Sequence, residues 1–410
     1  MGYVNMKKFN KDKYLKKLRF KKYKRYLYIG IPCILVLLIG IYFAYSKFSV
    51  FKEEEVVRTT VGDFISGDVV VGAYIDGEYS KTIPGKNDGY IVDKIICDND
   101  ATASWNNDSW GIIVTNLTKR TKCNVYFETK KTFAGIIEAA SSDTSMFASD
   151  DADKNVRYIG ANPNNYVYFN CSDYNNQSDS TCEKWRIIGV FNNVTKSDGT
   201  KENLVKIIRD ESIGDIAWDS NDVNDWSTAT LQQNLNSGTY YTTTLKNVAT
   251  RNAIESVVWN LGGTSAYNIL TASTFYTAER GTTVYSGRPT TWTGRIGLMY
   301  PSDYGYATAG GSTTNRTTCL STALRNWGGS EVADCKNNDY LFNGSYQWTL
   351  MPSSGGVFRV LYVYSSGLVA NFVVSNSRGV RPALFLKSNI SIKAGTGESS
   401  SPYQLKLGID

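Results

Sequence analysis

The chain has 410 residues, enough for two or three domains, and 42% of them are hydrophobic, which is ample for a buried core. It contains no histidine, which excludes a Ser-His-Asp triad, a Cys-His pair and every His-ligated zinc site. The formal charge of +6 is concentrated in the first 25 residues, which carry eleven cations against one acid, so the remainder is slightly acidic. A nucleic-acid partner is therefore not expected, because the folded part lacks a basic excess.

An uncharged apolar stretch, residues 26–46, follows the basic segment 1–25. At about 1.5 Å per residue it is long enough to cross a bilayer as a helix, and tyrosines lie near both of its ends. The cations before it predict a single-pass anchor in the cell membrane, with residues 1–25 in the cytoplasm, a stalk over residues 47–58 and the bulk of the chain outside. A cleaved signal peptide, with small residues at Ala44 and Ser46, is the alternative.

Residues 59–130 are predicted to form a small all-β domain. The turn signal Asp76-Gly77 follows the first of four strand candidates, which are residues 69–75, 90–97, 111–115 and 123–127. A run of small and acidic residues then links this domain, over residues 131–156, to a larger one at 157–392.

The larger domain begins with a predicted hairpin, residues 185–192 and 204–209, joined through the turn Lys196-Ser197-Asp198-Gly199. Two helices are predicted next, over residues 228–235 with Ser227 as N-cap and over residues 245–261, where Gly262-Gly263 ends the apolar spacing. Residues 264–345 are rich in Thr, Gly, Tyr and Asn and indicate long surface loops. The tail, residues 393–410, carries a last short strand at 403–407.

The last part of this domain, residues 346–387, alternates apolar and polar residues between Gly- and Ser-rich turns. In the segment 357–364, Val360, Tyr362 and Tyr364 fall on one face, and Leu361 and Val363 on the other. This pattern predicts a terminal antiparallel meander.

Three segments carry a resemblance to known proteins: WRIIGV at 185–190, GLMYPSDYGYA at 297–307 and GVRPAL at 379–384. They resemble an uncharacterised domain common in surface proteins of Gram-positive gut bacteria. That domain is in turn similar to the C-type-lectin-like fold of the formylglycine-generating-enzyme and sulfatase-modifying superfamily. The resemblance covers roughly residues 150–390, and the small β domain resembles a module found beside the same domain. The resemblance to the lectin-like fold implies an α+β fold class. In this arrangement the transmembrane helix and the small all-β domain precede a lectin-like domain that has two helices and the meander.

In that superfamily, the segment before the strand that here begins Gly379-Val380-Arg381 can host diversified ligand-binding positions. The matching positions in this chain are Tyr362, Tyr364, Ser365, Ser366, Asn371, Asn376 and Ser377. Trp348 is a neighbour in the sheet or a core residue. The resemblance and the Tyr, Ser and Asn composition of this segment predict a protein without enzymatic activity or cofactor, which binds an extracellular protein or glycan. The alternatives are an extracytoplasmic enzyme, of the formylglycine-generating type or a carboxylate glycan hydrolase, and a structural envelope protein.

Six cysteines lie outside the apolar stretch, an even number that favours disulfides in an oxidising compartment. Fifteen connectivities are possible, and pairing of sequence neighbours is the simplest: Cys97–Cys123, Cys171–Cys182 and Cys319–Cys335. A redox or copper-binding pair is the alternative, although the chain has no C-x-x-C motif.

Several charged residues are candidates for chemistry. Two clusters are rich enough in side-chain oxygens to bind Ca²⁺: Asp98, Asp100 and Asp108, and Asp219, Asn221, Asp222 and Asp225. Neither has the residue order of an EF-hand loop, and roles in turns and helix caps are the alternative. No metal site is therefore predicted. Glu279, Arg280 and Asp303 are candidate catalytic groups or core ion pairs, and Arg381 is a ligand clamp or a buried paired arginine.

Overall fold

The computed structural model describes Lys16 and residues 69–407, apart from positions 87, 89, 108, 118, 130 and 131. The chain divides into two compact units after Thr129.

The prediction of a single-pass membrane anchor was wrong. No helix within the described residues is long and apolar enough to span a membrane. The longest of the described helices, Phe133–Ala140 and Ala272–Glu279, have eight residues each. Eight residues extend about 12 Å, whereas the bilayer core is about 30 Å thick. Residues 26–46, on which the prediction rested, lie outside the described residues, as do the stalk residues 47–58.

The first unit is a small β structure. Its described strands are β1 (Val69–Ile75), β2 (Glu78–Ser80), β3 (Tyr90–Cys97), β4 (Thr102–Asn106), β5 (Gly111–Thr115) and β6 (Thr121–Thr129). They form a sheet in the order β2-β1-β6-β3, in which β1 and β6 are parallel, and a separate hairpin of β4 and β5. The predicted turn at Asp76-Gly77 joins β1 to β2, and both of its residues have positive φ. Cys97 and Cys123 are cross-strand partners and form the predicted disulfide.

The second unit is built mostly from strands. Those described are β7 (Phe147–Ala148), β8 (Val156–Tyr158), β9 (Tyr166–Phe169), β10 (Glu183–Thr195), β11 (Lys201–Arg209), β12 (Asp215–Ala217), β13 (Val257–Asn260), β14 (Thr291–Gly294), β15 (Ile296–Gly297), β16 (Gln347–Pro352), β17 (Arg359–Val363), β18 (Val369–Val373), β19 (Ser377–Gly379), β20 (Ala383–Phe385), β21 (Ser391–Ala394) and β22 (Gln404–Lys406). A seven-stranded sheet has the order β15-β20-β11-β10-β8-β7, with β9 also paired to β10. The predicted hairpin is confirmed as β10 and β11.

The predicted terminal meander is confirmed only for β16, β17 and β18, which pair antiparallel in sequence order. β19 lies between β12 and β16 and is parallel to β16, so this five-stranded sheet has the order β12-β19-β16-β17-β18. β20, the last strand of the segment 346–387, does not belong to this sheet. It pairs with β11 instead and belongs to the seven-stranded sheet.

The predicted α+β fold class, with two helices in the larger domain, was also wrong, because strands dominate the described residues and the helices among them are short. The α-helices of this unit are Phe133–Ala140, Thr230–Asn236, Val248–Asn252, Ala272–Glu279, Pro301–Tyr306, Arg316–Ser321 and Ala333–Asn337. Single turns of 3₁₀-helix occur at Leu324–Asn326 and Ser330–Val332, and a π-helical turn at Tyr240–Thr244. The predicted helix over 245–261 is a helix only at Val248–Asn252. Its second half is β13, because the β-branched pair Val257 and Val258 lies opposite β14.

Aromatic side chains fill the core of the second unit. The fully buried tryptophans are Trp185, Trp218, Trp226, Trp259, Trp327 and Trp348. The other two predicted disulfides, Cys171–Cys182 and Cys319–Cys335, are present in this unit as well.

Candidate functional site

Strand β17 has the predicted alternation. Leu361 and Val363 are buried on one face, and Tyr362 and Tyr364 share the other, with their ring centroids 6.0 Å apart. Tyr362 is itself only 4% exposed, so it packs beneath the exposed side chains of this face. Tyr364 is half-buried at the end of the strand, so part of its side chain is exposed to solvent.

The other predicted positions do not all join this face. Ser365 and Ser366 are half-buried in the turn after β17, and the Ser366 carbonyl accepts a hydrogen bond from Lys336 Nζ. Asn371 pairs with Leu361 and therefore lies on the opposite face, where its Oδ1 accepts from Arg359. Two more predicted positions, Asn376 and Ser377, are exposed at the turn into β19.

Three residues that were not predicted complete the surface beside Tyr364: Tyr346, Phe372 and Arg378. Tyr346 packs edge-on against Tyr364 at 4.7 Å, and Phe372 lies 5.5 Å from Tyr362. The Arg378 guanidinium lies 4.7 Å from the Tyr346 centroid and 4.2 Å from that of Phe372. We call Tyr346, Tyr364, Phe372 and Arg378 the tyrosine–arginine surface.

Arg378 is held in place largely by the rings. Its Nη1 donates to the Ser377 carbonyl at 2.7 Å, whereas its buried Nε has no hydrogen-bond acceptor among the described residues. None of the ion pairs within the described part of the chain includes it. The positive charge is thus available to an external group.

The two tyrosines of this surface are in edge-on contact. Interaction with the Tyr364 hydroxyl, and then with that of Ser365, lowers the pKa of the Tyr346 phenol, and interaction with Tyr346 raises the pKa of Tyr364. The pair orients both rings. Trp348 is 1% exposed and donates its indole N–H to the Ile216 carbonyl, so it is a core residue and takes no part in the surface.

The sequence carried one signal for Tyr346, because it continues the period-2 pattern of Trp348 and Leu350. No such signal marks Arg378. It stands between a turn and Gly379, and its position over the rings depends on the parallel pairing of β19 with β16.

Asp303 is the centre of a buried ion network. It contacts Lys206 Nζ at 2.5 Å and Arg157 Nη1 at 3.0 Å, and Asp151 holds Arg157 from the other side at 2.7 Å. Burial alone would raise the pKa of Asp303, but the attraction of Lys206 and Arg157 holds it below its ordinary value. The core ion-pair interpretation of this carboxylate is confirmed.

The neighbouring Glu279 is fully buried, and its pKa shifts in the opposite direction to that of Asp303. Ser302 donates to it from both its backbone N–H and its hydroxyl, and Arg280 Nη1 lies 3.3 Å away. Burial is the largest influence and raises the pKa of Glu279 to about 7. Arg381, also buried, donates to the carbonyls of Arg209 and Leu341, as expected of a paired core arginine.

The acidic clusters act as caps. Asp219 accepts backbone hydrogen bonds from Asn221, Val223 and Thr230, and its bond to Thr230 caps the helix Thr230–Asn236 in place of the predicted Ser227. Asp98 accepts from the backbone of Lys122, and Asp108 lies outside the described residues. Within the described residues, no group of three or more potential ligands could hold a metal ion.

Comparisons with known proteins add no relative. No family model matches the chain, and neither a curated protein nor a solved structure is significantly similar to it. The resemblance to bacterial surface-protein domains and to the lectin-like fold therefore stays a prediction.

Proposed function

We propose that this chain is a recognition protein that binds its ligand through the tyrosine–arginine surface. The observation that carries the proposal is Arg378, a cation without an ionic partner among the described residues, lying over Tyr346 and Phe372 on one face of a sheet. Tyr and Arg are the residues that most often dominate binding energy at interfaces, because they combine contact area with directional donors.

The ligand is a protein or a glycan, and the geometry favours a protein that presents a carboxylate beside an apolar side chain. A carboxylate would receive hydrogen bonds from the Nη groups of Arg378, chiefly from Nη2, since Nε is buried and Nη1 already donates to Ser377. The apolar group would pack on the half-buried Tyr364 and Phe372. The three disulfides suit an oxidising compartment, so such a ligand is sought among the molecules present there.

The test measures binding of the full chain to a displayed peptide library and to a glycan array. For the best ligand, Arg378→Ala is expected to weaken binding by at least about 2 kcal/mol, or about thirtyfold. Arg378→Lys should restore little, because an ammonium ion lacks the planar fork of donors. Tyr346→Ala should also weaken binding, whereas Tyr362 is unsuitable for the test because its truncation would disturb the core.

Arg295 provides a matched control. It is an exposed arginine that likewise lies over a tyrosine, with its guanidinium 5.9 Å from the Tyr241 centroid. Arg295→Ala should leave binding unchanged. The proposal fails if Arg378→Ala and Arg295→Ala bind equally well, or if neither array contains a saturable ligand.

A further inference from the structure

A second feature of the large unit is a cavity of about 240 Å³ beside the seven-stranded sheet. It shares no residue with the tyrosine–arginine surface. Its floor is aromatic and buried, and its rim is polar and partly exposed. Phe191, Trp259 and Tyr300 belong to the floor, and Asp153, Asn260 and Arg280 to the rim. The volume lies below the range typical of drug-sized ligands, so a small group fits it.

A β-bulge shapes one side of this cavity. The pairing of β10 with β11 shifts register between Phe191 and Val194, and Asn193 has a φ of 53°. The side chain of Asn192 holds the adjoining loop by donating to the carbonyls of Asp153 and Lys154. Bulges occur frequently beside binding sites, because they redirect side chains that a regular strand would place elsewhere.

Asn260 forms the opposite side and is held by its backbone. The Tyr300 hydroxyl accepts from the Asn260 N–H at 3.0 Å and donates to the Asn260 carbonyl at 2.9 Å. Asn260 lines the cavity, and its hydrogen bonds among the described residues are those of its backbone to Tyr300, so none is found for its side-chain amide. It can therefore offer both a donor and an acceptor to a ligand.

Arg280 and Asp153 supply a paired donor and acceptor at the rim. The Arg280 guanidinium stacks 3.3 Å from the Tyr276 ring centroid, and its Nε lies 3.8 Å from Asp153 Oδ2. The Tyr276 hydroxyl donates to the same carboxylate oxygen at 2.6 Å. Two neighbouring hydroxyl groups on a ring can bond to both residues, because a hydroxyl can accept a hydrogen bond from Arg280 and donate one to Asp153.

The charges around the cavity are balanced. Lys206, which belongs to the floor, is neutralised by Asp303 at 2.5 Å, and Arg280 has Glu279 and Asp153 within 4 Å. A charged ligand would gain little from such a site, and it would lose its hydration on entering. A neutral ligand with many hydroxyl groups and one apolar face suits the site better.

We propose that this cavity binds one neutral sugar ring. The C–H face of the ring packs on Tyr300 and Phe191. Its hydroxyls bond to Asn260, Arg280 and Asp153. The site is independent of the ligand proposed for the tyrosine–arginine surface.

The test titrates the full chain with glucose, galactose, mannose and N-acetylglucosamine, using saturation-transfer NMR and calorimetry, with glucuronate as a charged comparison. At least one neutral sugar should bind saturably, and glucuronate should bind more weakly. Asn260→Ala should weaken the binding about tenfold, since it removes the unpaired amide without touching the backbone bonds to Tyr300. Asn252→Ala is the matched control, because Asn252 is exposed at the end of a helix and is not part of the cavity lining.

Thermal unfolding of each variant establishes that it is folded. The proposal is overturned if no neutral sugar binds saturably or if glucuronate binds best. It is also overturned if Asn260→Ala and Asn252→Ala bind alike. Loss of sugar binding in Arg378→Ala, with Asn260→Ala unaffected, would assign the sugar to the tyrosine–arginine surface and would likewise refute the cavity site.

Discussion

Replacing Glu279 by Gln should reduce the pH dependence of stability between pH 5 and pH 8, which it shares with Asp339, a second carboxyl whose pKa is raised by burial. Burial raises the pKa of this carboxyl from 4.5 to about 7, so the folded state holds its proton more tightly than the unfolded state does. The contribution of Glu279 to stability is therefore fully present below about pH 4.5, falls as the pH rises from there to about 7, and is absent above that. No histidine titrates in this window, because the chain contains none.

The expected size follows from the width of that window. Each pH unit between 4.5 and 7 removes about 1.4 kcal/mol from the free energy of unfolding, which gives about 3 kcal/mol in all. Asp303, whose pKa is lowered, acts in the opposite direction but only below pH 3.8. In the Glu279→Gln variant the amide keeps an acceptor for the Ser302 N–H and cannot ionise, so the free energy of unfolding should fall less from pH 5 to pH 8 than in the wild type. The fall that remains belongs to Asp339, whose pKa is also raised by burial.

Urea unfolding followed by tryptophan fluorescence at pH 5, 6, 7 and 8 measures the difference. The signal comes mainly from the second unit, where most of the buried tryptophans lie. Equal pH dependence in the wild type and in Glu279→Gln would refute the reasoning. So would a wild type whose stability rises between pH 5 and pH 7.

Two further predictions concern the stability of the second unit. Asp303→Asn should lower the free energy of unfolding of this unit by about 3–5 kcal/mol, because Lys206 is then buried without an anion. Lys206→Met should lower it less, since Asp303 keeps its ion pair with Arg157. Equal losses of the two variants in urea unfolding would contradict this. Cys319→Ser should free Cys335 for thiol labelling after denaturation. It should also lower the free energy of unfolding by about 3 kcal/mol, as expected for a disulfide with a sequence separation of 16. An unchanged midpoint of urea unfolding would contradict a stabilising role of this disulfide.

The parts of the fold that the sequence predicted are those governed by local pattern. The strand Arg359–Val363 was predicted because its apolar residues alternate and Gly- and Ser-rich turns flank it. The prediction of a helix over 245–261 was wrong for its second half. Val257 and Leu261 are four residues apart, which suits one face of a helix, although the segment forms a strand. Pairing with Thr291–Gly294 decides between the two, and that pairing depends on residues far along the chain.

The candidate sites depend still more on distant residues. Asp151, Lys206 and Asp303 come from separate parts of the chain and have no common motif, so the sequence gives no sign that they meet. The surface was predicted in part, through Tyr364 and its turn. Local pattern did not indicate the face on which Asn371 lies, because its orientation depends on the register that the preceding tight turn imposes.

The position of β20 also affects how the protein is made. β11 lies between β10 and β20, and β20 is formed from Ala383–Phe385, near the end of the unit. During synthesis on the ribosome, the edge of β11 that receives β20 stays open until those residues emerge. An open β edge can pair with other chains, and contacts between distant residues form slowly. Chaperone binding during translation would protect this edge, and a chain released before residue 383 would be prone to aggregation.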